Sequence, residues 1–193
     1  GVSLGHPNQQ GTVFQSGSGD DVITTRSGSS TIGSIHTNGG NDTLNLAGFR
    51  YESNVYAGSG DDTIKLHHDE TSIPFDYVWS TIYGGDDDDT IEVTGDTTAG
   101  LLIYGDAGDD VIDISAGKLY SYDGMDFQVR GGSGDDILIG NDDNNIFEGG
   151  SGDDSIYGGN GNNTLKGDEG NDSIESGSGN DTIDNILVIV MAM

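Results

Sequence analysis

Large apolar residues recur along this chain in two interleaved sets, and their spacing predicts the architecture. One set is Phe14, Ile35, Val55, Ile82, Ile103, Val129, Phe147 and Leu165; the other is Ile23, Leu44, Ile64, Ile91, Ile112, Leu138, Ile156 and Ile174. From each member of the first set to its partner in the second the separation is nine residues, while the return intervals are 12, 11, 18, 12, 17, 9 and 9. A fixed long period decides a fold before any local propensity does. Around each apolar position the alternation polar–apolar–polar reads as a strand of three or four residues with one side chain inward. The pattern therefore predicts a flattened roll of eight coils, its core two facing ladders of Ile, Leu, Val and Phe, roughly 40 Å long at one strand spacing per coil. One side of the roll, side A, keeps a turn of constant length. The opposite side B carries irregular turns first and regular ones only from residue 140 onward.

The constant turn has a constant composition. Residues 131–184 read as six nine-residue units laid end to end: GGSGDDILI, GNDDNNIFE, GGSGDDSIY, GGNGNNTLK, GDEGNDSIE and SGSGNDTID. Each follows G-G-x-G-x-D-x-U-x, where U is large and apolar. Upstream the turn recurs once per coil, starting at Ser16, Thr37, Ala57, Gly84 and Gly105, 20 to 27 residues apart. This pattern resembles the nonapeptide of the RTX (repeat-in-toxin) family, over residues 16–184. The resemblance implies an all-β, right-handed parallel β-roll, or β-solenoid, that takes up calcium in its stacked Gly/Asp turns. The residue types agree: glycine permits positive φ and close stacking, and Asp at position six supplies the hard carboxylate oxygen that Ca²⁺ prefers, with backbone carbonyls completing its shell.

Calcium in such a roll lies between turns stacked on one side, so sites are counted as gaps. On side A the sixth positions are Asp21, Asp42, Asp62, Asp89, Asp110, Asp136, Asp154 and Asp172, which leaves seven gaps. On side B they are Asn145, Asn163 and Asp181, with at most two gaps. Asn offers a neutral oxygen, so side B sites are expected to be weaker or empty. The candidate metal ligands are therefore the eight side A aspartates and Asp181. Asp87 stands where glycine is usual, a position that Asp tolerates better than most residues.

Composition narrows the function. The formal net charge is -28, from 34 acidic and 6 basic residues, with 34 Gly and 2 Pro. Stacked like charges about 5 Å apart repel unless a cation lies between them, so the chain is expected to be largely disordered without calcium and to fold at extracellular levels. Nucleic acid is excluded as a partner for want of clustered Lys and Arg, and no apolar run approaches the ~20 residues of a transmembrane helix. With no Cys there is neither disulfide nor thiol chemistry. Catalysis finds no distinctive constellation, since the Asp pairs repeat in every coil; the chain is read as a non-enzyme. A start at Gly1 without a charged-then-apolar leader fits a processed or excised chain.

Repeats of this kind need capped ends. Residues 1–15 are expected to form an N-terminal cap and first strand, 16–184 the roll (irregular coils to 130, contiguous nonapeptides from 131), and 185–193 an apolar tail. That tail resembles the hydrophobic end of type I secretion substrates, and reads equally as a capping strand or as a strand added to another subunit. Two side B insertions, 65–81 and 113–128, hold Phe75, Tyr77, Trp79, Tyr120, Tyr122 and Phe127, either a glycan or protein contact patch or a satellite core. His67 and His68 point to opposite strand faces and do not suit a shared metal. An ice-binding Thr ladder is absent from the third turn positions. Two functions remain: a secreted bacterial calcium-binding structural protein that folds on Ca²⁺ and self-assembles, as in a surface layer, filament or adhesin, or the C-terminal folding and export module of a larger secreted enzyme or toxin.

Overall fold

The computed structural model describes residues 2–3, 12–25, 32–47, 53–68, 79–97, 100–119 and 127–184. It is an all-β parallel solenoid. Two parallel sheets face each other. The first is built from Val2–Ser3, Val22–Thr24, Thr43–Ala47, Thr63–His68, Thr90–Thr97, Val111–Asp113, Ile137–Ile139, Ser155–Tyr157 and Ser173–Glu175, in that spatial order. The second runs through Thr12–Gln15, Ile32–His36, Asn54–Ser59, Trp79–Asp86, Gly100–Ala107, Phe127–Ser133, Asn145–Ser151, Thr164–Glu169 and Thr182–Asp184. Apart from Val111–Asp113 and Gly117–Leu119, which both belong to the first sheet, sequential strands alternate between sheets, so each strand pairs with one a full coil away.

The two apolar ladders fall in the predicted register. Ile23, Leu44, Ile64, Ile91, Ile112, Leu138, Ile156 and Ile174 stand opposite one another in the first sheet. Phe14, Ile35, Val55, Ile82, Ile103, Val129, Phe147 and Leu165 do so in the second, and Ile183 adds a last rung. The interior rungs are fully buried, and Phe14 and Ile174, near the two ends, only partly so. A further inward column, Leu46, Leu66, Val93 and Ile114, widens the core in the middle coils. Its signal is the period-two pattern of Thr43–Ala47 (TLNLA), which carries a second apolar residue two positions after the first.

Part of each long side B insertion turns out to be sheet. Residues 65–68 complete Thr63–His68, and Gly117–Leu119 pairs with Gly95–Thr97 beside the first sheet. The side chains of Phe75, Tyr77, Trp79, Tyr120, Tyr122 and Phe127 lie outside the described residues, as does the tail 185–193. An aromatic row does exist elsewhere, on the outer face of the second sheet. His36, Tyr56, Tyr83 and Tyr104 stack with ring centroids 4.5, 4.9 and 5.0 Å apart, and the Arg130 guanidinium closes the column 5.7 Å from the Tyr104 ring. The turns carry no Thr ladder, while the outer face of the first sheet has a short one, Thr43, Thr63 and Thr90, ending against Val111. His67 bonds Thr94 through Nδ1 at 2.9 Å. Among the described residues no helix is long and apolar enough to cross a membrane.

Candidate calcium-binding turn row

Side A turns connect a strand of the second sheet to the next strand of the first, and stacking them brings the sixth-position aspartates into one line. The structure joins them by a single repeated hydrogen bond. The backbone N–H of each Asp donates to Oδ1 of the Asp one coil onward: Asp21 to Asp42 and Asp42 to Asp62 at 2.7 Å, Asp62 to Asp89 and Asp89 to Asp110 at 2.8 Å. Asp110 to Asp136 and Asp136 to Asp154 follow at 2.9 Å, and Asp154 to Asp172 at 3.1 Å. All eight predicted side A aspartates thus belong to one row.

One oxygen per carboxylate is used, and the other is stranded. Asp42, Asp62, Asp89, Asp110, Asp136 and Asp154 are each at most 2 % exposed, and their Oδ2 atoms have no hydrogen-bond partner. The surroundings explain why. Gly131 opens the turn that Asp136 closes, and a Cβ on Gly131 would collide with Asp136 Oδ2 and lie 2.7 Å from the carbonyl oxygen of Gly149 in the next coil. Two acceptors therefore converge on one spot with no donor between them. Gly84, Gly105 and Gly149 repeat the arrangement with Asp89, Asp110 and Asp154. At the second turn position, Gly132 takes φ +131° and faces the carbonyl oxygen of Asp106 so closely that a side chain has no room.

An orphaned buried carboxylate is costly, and its protonation equilibrium records this. Burial pushes Asp89 up to about 8, Asp110 and Asp136 to about 7, and Asp62 and Asp154 to about 6. The donated N–H opposes the rise in each case, and neighbouring carboxylates add to it. Asp42 is also raised by burial.

A second row escaped the sequence reading. Fifth-position residues run alongside on the exposed rim, bonded in the opposite sense: the N–H of Asn41 donates to Asp20 Oδ1, Asp109 to Asp88, Asp135 to Asp109, Asp153 to Asp135 and Asn171 to Asp153. The Asp-Asp and Asn-Asp doublets in every turn were the available signal. Asp87, Asp106 and Asp168 take φ of 77°, 77° and 74° where glycine would otherwise stand, as foreseen for Asp87.

Side B differs at the same position. Asn145 N–H donates to Asn163 Oδ1 at 3.0 Å and Asn163 N–H to Asp181 Oδ1 at 2.9 Å, so the row exists. Its carboxylate, Asp181, ends the row among the described residues.

The chain matches the RTX calcium-binding nonapeptide repeat (4 copies) over residues 13–32, 80–96, 102–117, 128–156 and 157–184, more than half its length. The chain belongs to that family. No curated protein and no solved structure matches it. The RTX turn geometry extends beyond the matched segments, since Asp42 and Asp62, within residues 33–79, make the same hydrogen bonds as the rest. The donor set fits the ion that the family name carries: a row of buried, unpartnered carboxylate oxygens facing backbone carbonyls, all hard oxygen ligands of the kind Ca²⁺ takes. Among the described residues no point gathers three or more His, Cys, Asp or Glu side chains, so backbone carbonyls must supply most of an ion's shell. The fold is a calcium-binding β-roll.

Proposed function

We propose that this chain is a secreted bacterial structural protein whose β-roll is completed by calcium along side A and which assembles end to end. Asp21, Asp42, Asp62, Asp89, Asp110, Asp136, Asp154 and Asp172 would each lend a carboxylate to an ion held between successive turns. The observation that carries this reading is the line of stranded Oδ2 atoms. Six buried acceptors without donors make the cation-free coil expensive, and an ion binding only the coiled state adds its binding free energy to folding.

Assembly is supported by the two ends. Ile183, an inward rung of the last coil, is 36 % exposed, and Phe14, an inward rung of the first, is only partly buried. Among the described residues the outermost strands of the second sheet, Thr12–Gln15 and Thr182–Asp184, have a neighbour on one side only, and such an edge of a parallel sheet invites pairing with another chain. A head-to-tail contact of this kind propagates rather than closes.

Sedimentation velocity across a calcium titration from metal-free buffer tests both halves. The expected course is an expanded monomer that compacts and then grows into large species. Compaction without growth would replace the assembling protein by the export-module reading, and an unchanged sedimentation coefficient would remove calcium from the account.

A further inference from the structure

The two turn rows differ at one atom, and that atom sorts them. On side A the δ2 position of Asp136 is an oxygen, facing the Gly149 carbonyl of the next coil with nothing between them. On side B the δ2 position of Asn145 is an amide nitrogen, and it donates to the corresponding carbonyl, Gly158, at 2.9 Å. Asn163 repeats this, its Nδ2 donating to the Ser176 carbonyl at 3.1 Å. The scaffolds are otherwise alike. A Cβ on Gly140 would stand 2.5 Å from the Gly158 oxygen and 3.0 Å from Asn145 Nδ2, just as one on Gly131 meets the Gly149 oxygen and Asp136 Oδ2. The δ1 oxygen of the following turn accepts the same N–H in both rows, Asp154 from Asp136 at 2.9 Å and Asn163 from Asn145 at 3.0 Å, while Asn145 Oδ1, at the head of its row, has no donor. The rim is alike too, Asn162 and Asn180 donating N–H to Asn144 and Asn162 as Asp135 and Asp153 do to Asp109 and Asp135.

We infer that the sixth residue of each turn specifies what closes the gap to the next coil: Asn145 and Asn163 close theirs with their own amides and exclude calcium there, whereas each buried side A aspartate leaves its gap for an ion. This rests on the calcium reading of side A above. Its physical basis is the donor inventory. An amide carries one acceptor and two donors, an ionised carboxylate only acceptors. Where a carbonyl from the next coil is fixed in place, the amide satisfies it, and the carboxylate needs a third party. An ion beside Asn145 would also meet the positive edge of the NH₂ group that now points into the gap.

Side B of the last coils is thus stapled without metal. Nδ2 of Asn145 binds the Asp143 carbonyl at 2.8 Å and Asn163 Oδ1 at 3.1 Å as well, tying the turn to itself and to its neighbour.

Reciprocal exchange tests the assignment. Calcium bound per chain is counted by equilibrium dialysis at saturation for the parent, for Asn145→Asp/Asn163→Asp, and for Asp136→Asn/Asp154→Asn. The first pair is expected to gain one ion per substitution and the second to lose one per substitution. Denaturation midpoints in metal-stripped neutral buffer, with enough trimethylamine N-oxide added to fold the parent, are expected to move the opposite way, downward for the new aspartates and upward for the new asparagines. If the parent binds calcium and either exchange leaves the count unchanged, the inference is overturned while the calcium reading stands. If the parent binds none, the calcium reading falls, and metal-free midpoints that fail to move in those directions overturn the amide closure as well.

Discussion

At the scale of single residues, the turn row is governed by which atoms have partners. Gly132 illustrates the steric half. Its φ of +131° and its contact with the Asp106 carbonyl leave no space for a side chain, so Gly132→Ala combines a strained backbone with a clash. Such strain costs on the order of 1–3 kcal/mol, and chemical denaturation in saturating calcium is expected to show a loss of at least that size. Asp89, Asp110 and Asp136 illustrate the electrostatic half. Their folded values of about 8, 7 and 7 lie above the ordinary 3.8. The cation-free fold therefore has its full share of stability from these groups below pH ~4, near the unfolded carboxylate value, and loses it as pH rises through the folded values. Thermal melting in metal-stripped buffer is expected to fall steadily between those limits. With calcium saturating, protons become competitors for the same oxygens and the melting temperature should instead drop on acidification. A metal-free profile that rises with pH would contradict the placement of these carboxylates.

At the scale of elements, the strands are too short to be stable alone, and each is held by the ladder it completes. Ile103 sits in mid-ladder between Ile82 and Val129, fully buried. Ile183 occupies the same column at its end and is 36 % exposed. Ile103→Ala is expected to cost about 2–5 kcal/mol, the range for a buried large-to-small change. Ile183→Ala should cost under half of that in the monomer, because less of its surface is removed from water. Denaturation midpoints of the two variants in calcium check the difference, and equal losses would mean that something covers the last rung. The strand positions were legible in the sequence because apolar residues must face inward and a nine-residue step returns them to the opposite sheet. The Leu46–Leu66–Val93–Ile114 column and the Tyr56–Tyr83–Tyr104 stack were not read. Both need the register between coils, and the irregular side B lengths hide it until strands are actually paired.

At the scale of the whole molecule, the net charge of -28 and the line of buried carboxylates set the same requirement, a source of positive charge along the axis. An ion at a hundredfold excess over its dissociation constant contributes about 2.7 kcal/mol when it binds only the folded state. A few such sites reach the 5–15 kcal/mol that separates folded from unfolded domains, so the calcium transition is expected to be steep, with circular dichroism and the sedimentation coefficient changing together.

The sequence by itself determined the two inward ladders, the side that carries the uniform turn, and the aspartates of that turn, because each follows from periodicity and residue type. Only the tertiary structure decided what those aspartates do with their second oxygen. The two equivalent oxygens of a carboxylate differ once one is fixed by an N–H from the preceding coil and the other is pressed toward a carbonyl of the next. That juxtaposition belongs to stacked turns a full coil apart in the chain. The same stacking separates Asp136 from Asn145, one letter's difference in the sequence, into a gap that wants an ion and a gap already closed.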